Sequence, residues 1–151
     1  MAHQKFHLGI KAFILNEKNE ILILKINPNQ LKGEDIVHWD LPGGRIEEGD
    51  NVEKTIKKEL NEELNIDPSN IQILDIFDAS ISNIKILVGK ELFGLILFTY
   101  KCKLKGKYEL ELSSEHTDYK WATVEEAKKL LSYKFSKSFI DKLNMLNGSM
   151  V

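Results

Sequence analysis

Hydrophobic segments and short polar breaks follow one another along the N-terminal part of the chain. Apolar and β-favouring residues are dense at 6–15 and again at 21–26, and the polar segment 16–20 between them has turn composition. This pattern predicts a β-hairpin. Residues 27–35 have the composition of a loop, and 39–46 are interrupted by Pro42-Gly43-Gly44, which predicts a short strand on each side of a tight turn.

One segment has a clear helical period. Apolar residues recur at every fourth position and predict an amphipathic helix over about 51–65, with a buried face formed by Val52, Ile56, Leu60 and Leu64. Asp50 followed by Glu53 resembles a capping box and predicts that the helix begins there. The turn residues at 67–70 are expected to follow its end.

The remainder of the chain alternates between predicted strands and predicted helices. Strands are predicted at 71–77, 84–88 and 92–104, the last being apolar on both faces, and helices at 123–131 and 135–146. The order of strands, helix, strands and helices indicates an α+β fold in which helices flank a mixed sheet. Without an internal repeat or a long linker, residues 1–151 are expected to form a single domain.

Composition narrows the range of partners. The charged fraction is 29%, the hydrophobic fraction is 42% and the formal net charge is -2, so a nucleic acid polymer or an anionic membrane surface is not expected as a partner, whereas a single nucleotide is compatible. Cys102 is the only cysteine, which excludes an intramolecular disulfide. The N-terminus lacks a signal-peptide pattern and no apolar run is long enough to span a bilayer, so we expect a cytoplasmic protein.

Candidate chemistry is concentrated on the predicted helix at 51–65. Glu59, Glu62 and Glu63 share a stripe about 100° wide beside its apolar face. Like charges at this spacing destabilise a helix by roughly 0.2–0.5 kcal/mol per pair, and a hard divalent cation would offset that repulsion. A solvated acidic face is the more common reason for such spacing, so the helix alone does not decide between the two interpretations.

The segment before the helix favours a metal site, because the glycines of Leu41-Pro42-Gly43-Gly44 allow the main chain to approach a ligand closely. From Gly44 to Ile66 the sequence resembles the Nudix box. That signature has Gly, five residues, Glu, seven residues, then Arg-Glu, an aliphatic residue, any residue, Glu-Glu, any residue, Gly and an aliphatic residue. The corresponding residues here are Gly44, Asp50 and Lys58-Glu59-Leu60-Asn61-Glu62-Glu63-Leu64-Asn65-Ile66.

Three positions depart from the signature. Asp50 replaces Glu with a shorter acid, and Lys58 replaces Arg, which removes a planar fork that can grip a carboxylate and predicts reduced turnover. Asn65 replaces Gly where the helix ends, and Asn is the next best residue for a left-handed conformation. The first two departures support an alternative, a catalytically weak nucleotide-binding or regulatory domain. The retained glutamates argue against it, and an isomerase on the same fold ranks last.

The resemblance implies a Nudix-type α/β/α sandwich and a pyrophosphohydrolase. Such an enzyme hydrolyses a diphosphate linkage in a nucleoside diphosphate derivative by water attack on phosphorus, with Mg²⁺, or alternatively Mn²⁺, as cofactor. The implied metal ligands are Gly44, Glu59 and Glu63. Glu62 is either a further ligand or the general base, and Glu115 is the other candidate for the base, with a plain surface turn as its equal alternative.

Other roles implied by the resemblance are less specific. Lys58 is expected to orient the glutamates, Arg45 either contacts phosphate or is simply solvated, and Trp39 is a candidate to line a nucleobase pocket. The histidines show no paired spacing typical of a zinc site and are interpreted as ordinary residues. The sequence does not decide among nucleoside triphosphates, oxidised nucleotides, ADP-ribose, dinucleoside polyphosphates and nucleotide sugars as substrates. It also does not decide whether the protein forms a homodimer.

Overall fold

Two β-sheets lie at the centre of the computed structural model, which describes residues 2–30 and 36–147. The larger sheet has the strand order β4-β1-β7-β5, with β6 also paired to β7, and it is mixed because β1 and β7 run parallel while the other pairs are antiparallel. The smaller sheet is antiparallel with the order β3-β2-β8. The strands are β1 (Phe6–Ile14), β2 (Ile21–Ile26), β3 (Trp39–Asp40), β4 (Gly43–Arg45), β5 (Ile71–Ile81), β6 (Ile86–Val88), β7 (Glu91–Leu104) and β8 (His116–Ala122).

Within the described residues, three α-helices cover the sheets, namely α1 (Val52–Leu64), α2 (Val124–Leu130) and α3 (Lys137–Lys142). Because successive side chains of a strand point to opposite faces, β1 contributes to two cores. Ile10, Ala12 and Ile14 pack with the apolar face of α1, whereas Phe13 packs with residues of α2 and α3. This arrangement confirms the predicted α/β/α sandwich with a mixed sheet.

The predicted hairpin at 6–26 is wrong in its pairing, although both strands are where the pattern placed them. β1 and β2 belong to different sheets, and their link is an isolated bridge between Leu15 and Ile21. Both edges of β1 are already occupied, since Ile10 pairs with Gly44 on one side and with Phe98 on the other. β7 pairs with one edge of β1 along its whole length and β4 occupies residues 9–11 of the other edge, so the middle of β1 is not available to β2.

The turn at 41–44 connects the two sheets. β3 and β4 flank it as predicted, but β3 pairs with β2 and β4 pairs with β1. Gly43 has a φ of 145°, and a Cβ at this position would lie 2.1 Å from the carbonyl oxygen of Ile10. A side chain at Gly43 is therefore excluded by both the main-chain conformation and the close approach of β1.

The capping prediction for α1 was wrong by one residue. Asn51, in extended conformation, caps the helix by accepting a hydrogen bond from the main-chain N–H of Lys54, which leaves Asp50 free for another contact. At the other end, Asn65 has a φ of 57° and its N–H bonds to the carbonyl oxygens of the last turn. The predicted left-handed Asn is thus confirmed.

Elements beyond α1 agree with the sequence patterns except at one helix and one strand. Thr123 and Glu126 form the predicted capping box at the start of α2. The helix predicted at 135–146 is divided into α3 and a 3-10 turn at Leu143–Asn147. The unpredicted strand is β8, which pairs with β2 along its length. None of the helices in the described ranges is long and apolar enough to cross a membrane.

Candidate active site

The three glutamates of α1 differ in exposure in the order that their helical positions require. Glu63 lies nearest the apolar arc and is only 3% exposed, Glu59 is half-buried, and Glu62 is exposed to solvent. A plain solvated face would leave all three carboxylates in water. The burial of Glu63 therefore argues for a specific site at this edge of the helix.

The glycine loop lies directly against two of these glutamates. The main-chain N–H of Gly43 donates a hydrogen bond of 2.8 Å to Glu63 Oε1. A Cβ added at Gly44 would lie 2.5 Å from the carboxyl carbon of Glu59, so Gly44 is required for this close approach. The structure thus brings together the three residues that the sequence assigned to metal binding, Gly44, Glu59 and Glu63.

The environment of these carboxylates disfavours negative charge without a partner. Burial raises the pKa of Glu63 to about 8, although Lys11 and the Gly43 N–H oppose the shift. Burial also raises the pKa of Glu59, and the neighbouring charges of Glu62 and Glu115 raise it further. A bound cation would relieve both the desolvation and the mutual repulsion of these groups.

Glu115 and His116 join the cluster from the start of β8, where His116 is the first residue of the strand and Glu115 precedes it. One ligand atom from each of Glu63, Glu115 and His116 lies within 4.8 Å of the others. The His116 ring is buried, with its Nε2 3.6 Å from Glu63 Oε2, and burial lowers its pKa to about 4, so it is neutral near pH 7. Proximity to the acidic cluster supports Glu115 over its surface-turn alternative, whereas His116 was not singled out from the sequence.

A second group of charges that sequence reasoning missed is buried behind the acidic cluster. Asp40 Oδ2 accepts hydrogen bonds from Lys11 Nζ at 3.0 Å and from Lys134 Nζ at 2.5 Å. Burial opposes the ionisation of Asp40, but the two lysines outweigh it and hold its pKa well below the usual range. Burial dominates at Lys134 and lowers its pKa to about 8. Burial lowers the pKa of Lys11, but the negative charges of Asp40 and Glu63 outweigh it and raise that pKa, so the triad interacts electrostatically with the acidic cluster.

Lys58 contacts the loop before α1. Its Nζ lies 3.1 Å from Glu47 Oε1 and 3.1 Å from Asp50 Oδ2, and hydrogen bonding to Asp50 and then to Glu47 raises its pKa. The two departures from the signature at positions 50 and 58 are therefore partners. That Lys58 orients the helix glutamates stays a prediction. Its contacts indicate that it would do so indirectly, by holding the loop before α1.

The two predicted substrate contacts lie on either side of the loop. Arg45 is exposed at the end of β4, where its Nη1 donates to His7 Nδ1 at 3.2 Å. Trp39 is half-buried in β3 and packs against the core that α2 and α3 cover. Among residues 2–30 and 36–147, neither side chain forms a hydrogen bond or salt bridge with the glutamates, so their roles toward phosphate and nucleobase stay predictions.

The donor set fits a hard divalent cation. Carboxylate oxygens and main-chain carbonyls are the ligands that Mg²⁺ and Mn²⁺ prefer, and the glycine loop and α1 supply both within one site. Because Gly44 has no side chain, its main chain can lie next to the Glu59 carboxylate. A main-chain carbonyl and a carboxylate must be this close if both are to bind one ion. The residues that would hold it are Gly44, Glu59 and Glu63, with Glu62 beside them.

The sequence of this chain is similar to a protein family and to individual enzymes. The family model described as the NUDIX domain matches residues 5–143. The chain is 27% identical over 107 residues to the mouse bis(5'-nucleosyl)-tetraphosphatase [asymmetrical], which covers 71% of this chain and 70% of the relative. It is also 31% identical over 72 residues to Nudix hydrolase 5 of Arabidopsis thaliana, of which it spans 23%, with 48% of this chain covered.

Solved structures share the fold. The MutT protein from Methanosarcina mazei Go1 superimposes with a TM-score of 0.70 at 22% identity, covering 97% of this chain and 96% of that one. The E. coli dihydroneopterin triphosphate pyrophosphohydrolase gives a TM-score of 0.69 at 18% identity, covering 96% and 100%. At these identities the likeness shows the fold alone. The match to the family model over residues 5–143 establishes that the chain belongs to the Nudix hydrolase family.

Proposed function

We propose that this chain catalyses the metal-dependent hydrolysis of a diphosphate linkage in a nucleoside diphosphate derivative. The observation that carries the proposal is the contact between the glycine loop and α1, where Gly43 binds Glu63 and Gly44 leaves no space for a side chain beside Glu59. A loop that only linked two strands would not require glycine against a half-buried carboxylate. The arrangement is the one expected of a divalent cation site with Mg²⁺, or Mn²⁺, as cofactor.

A divalent cation at Gly44, Glu59 and Glu63 would neutralise phosphate oxygens and lower the pKa of a water molecule. The chain itself positions the ligands, because the Gly43 N–H fixes Glu63 from the loop side. Glu62 and Glu115 are the two candidates to take the proton from the attacking water. Glu115 is supported by its position within the cluster with Glu63, and Glu62 by its exposure on the same helix.

The proposed substrate is a small nucleotide with a polyphosphate chain. The bis(5'-nucleosyl)-tetraphosphatases of mouse, pig and rat cover 70–76% of both this chain and themselves, so dinucleoside polyphosphates are the first class to test. Other Nudix structures with this fold are described as acting on ADP-ribose or dihydroneopterin triphosphate. Arg45 is proposed to contact phosphate and Trp39 to line the nucleobase pocket.

The main alternative is a catalytically weak nucleotide-binding or regulatory domain. The departures from the signature at Asp50 and Lys58 are the reason to consider it. However, Lys58 Nζ lies 3.1 Å from Asp50 Oδ2, so the shorter acid and the lysine still form an ion pair with each other. A pure binding site would also have little use for three glutamates whose charges oppose each other. The hydrolase is therefore the better supported function.

Several coarser features belong to the same proposal. We infer that residues 1–151 act as one domain, that the protein works in the cytoplasm, and that neither a nucleic acid polymer nor a membrane is its partner, in line with the net charge of -2. A homodimer stays open as an alternative to a monomer.

The proposal is tested by following product release from dinucleoside polyphosphates, nucleoside triphosphates, ADP-ribose and nucleotide sugars, each with Mg²⁺ and with Mn²⁺. Turnover of at least one class that stops when the ion is chelated supports it. Turnover that survives chelation contradicts the metal dependence. A compound that raises the melting temperature without being hydrolysed under any of these conditions supports the binding domain instead.

A further inference from the structure

His116 is a buried imidazole without a hydrogen bond in the part of the chain that the structure describes. Within residues 2–30 and 36–147, Nδ1 has no partner, and the 3.6 Å between Nε2 and Glu63 Oε2 is too long for a hydrogen bond. The residue is only 8% exposed. Buried polar groups are normally paired, because an unmade bond costs free energy, so this ring needs an explanation.

The position of the ring is fixed by the main chain and not by its own side-chain bonds. His116 begins β8, where it pairs with Ile26, and its N–H donates to the carbonyl oxygen of Ser113. Glu115, one residue earlier, bonds through its carbonyl to Asn27. Two adjacent residues of one anchored segment thus present a carboxylate and an imidazole to Glu63.

We propose that His116 is a nitrogen ligand which, with Glu63 and Glu115, forms a metal position that prefers borderline ions such as Co²⁺ or Zn²⁺ over Mg²⁺. This inference rests on the proposed function, since Glu63 belongs to the same site. Imidazole nitrogen suits these ions, whereas Mg²⁺ favours oxygen ligands alone. The hard ion would keep Gly44, Glu59 and Glu63 as its ligands, with Glu62 beside them, so that the Glu63 carboxylate would be shared between the two metal positions.

The geometry allows this assignment with a small adjustment. Ligand atoms about 2.0–2.2 Å from one ion lie at most roughly 4.4 Å apart, and the three ligand atoms here lie within 4.8 Å of one another. Side-chain torsions of the exposed Glu115 can close this difference without moving β8. The competing explanation is that His116 only orients Glu63 through a weak hydrogen bond, in which case its ring nitrogen never binds the ion.

The test uses the untagged full chain and Co²⁺ as the probe. In the proton NMR spectrum of the Co²⁺-loaded protein, a bound imidazole gives an exchangeable ring N–H resonance shifted far outside the diamagnetic range. We expect this resonance in the wild type and in His38→Ala, a matched control at another histidine, and its loss in His116→Gln and His116→Ala. A wild-type spectrum with Co²⁺ bound but without such a resonance, or its persistence in a folded His116 variant, overturns the inference.

Calorimetric titration supplies a second readout that does not depend on turnover. We expect His116→Gln to weaken Co²⁺ binding at least about tenfold while Mg²⁺ binding changes little. Equal weakening of both ions indicates a positioning role and overturns the nitrogen-ligand assignment alone. If neither ion binds the wild type, both the proposed metal-dependent function and this inference fail. Equal weakening of Co²⁺ and Mg²⁺ binding overturns only the inference, so the two failures are distinguishable.

Discussion

The main-chain N–H of Gly43 donates to the carboxylate of Glu63 over 2.8 Å, although the two residues lie 20 positions apart. This bond joins the turn between the two sheets to the last glutamate of the helical signature. It holds the glycine loop against the helix, so that the two form one structural unit. Changes on either side of the contact should therefore affect the same property, the position of the carboxylates.

The neighbouring glycine gives the first prediction. Gly44→Ala places a Cβ 2.5 Å from the carboxyl carbon of Glu59 and should displace that carboxylate, which lowers kcat/KM at least about tenfold, equivalent to 1.4 kcal/mol of transition-state stabilisation. Steady-state kinetics with the best substrate of the panel measure the effect. Gly89→Ala, where a Cβ meets nothing within 4 Å but the φ of 64° is strained, should lower stability and leave kcat/KM unchanged.

The Asp50–Lys58 pair predicts non-additive kinetics. Asp50→Asn and Lys58→Gln should each lower kcat/KM by about tenfold or less, because each removes one end of the same 3.1 Å contact beside the site. The double variant should be no worse than the more damaging single variant. Effects that multiply would show that the two residues act independently, and would revive Lys58 as a direct partner of the helix glutamates.

The buried triad predicts a stability effect with a defined pH dependence. Asp40→Asn leaves Lys11 and Lys134 without their shared carboxylate and should cost about 3–5 kcal/mol in the free energy of unfolding at pH 7. Because the pKa of Asp40 is depressed in the folded state, its contribution is present above the unfolded pKa of about 3.9 and is lost as the pH falls through the folded value.

Denaturant unfolding of the wild type and Asp40→Asn from pH 3 to pH 7 checks this dependence. The difference between the two proteins should not shrink between pH 7 and pH 5, where the Asp40 carboxylate stays ionised, and should shrink only at the acidic end. A difference that already shrinks between pH 7 and pH 5 would contradict the depressed pKa of Asp40.

Cys102 provides a test of the core around β7. The thiol is 5% exposed, and burial raises its pKa to about 12, so it should be almost fully protonated and inaccessible at pH 8. Labelling with iodoacetamide at that pH should be very slow in the native protein and fast in urea. Rapid native labelling would mean that the packing between α1 and the larger sheet opens easily.

The helix and its glutamates were predictable because they depend on local sequence. Apolar residues at every fourth position determine which side of α1 is buried. The position of each glutamate relative to that side then determines its exposure, which rises from Glu63 through Glu59 to Glu62. The local sequence does not distinguish the N-cap, since Asp50 and Asn51 are adjacent residues of equal capping ability. The ion pair with Lys58 engages Asp50 and leaves the cap to Asn51.

Long-range pairings were not predictable from a single sequence. The local pattern suggested that β1 and β2 pair, whereas the parallel partner of β1 is β7, about 90 residues further along the chain. β8 forms through its ladder with β2 and has no strong pattern of its own. The neighbours of His116 are likewise brought to it by long-range contacts. Asp40 and Lys134, which form a salt bridge, lie 94 positions apart in the sequence.

The central claim is that the acidic edge of α1 binds the ion that hydrolysis requires. It is tested most directly by kcat/KM as a function of Mg²⁺ concentration for the wild type, Glu59→Gln and Glu53→Gln, the last being an exposed glutamate of the same helix paired with Lys57. We predict a loss of at least roughly 100-fold and a higher Mg²⁺ requirement for Glu59→Gln, with Glu53→Gln unchanged. A Glu59→Gln enzyme with wild-type activity and Mg²⁺ dependence would contradict the claim.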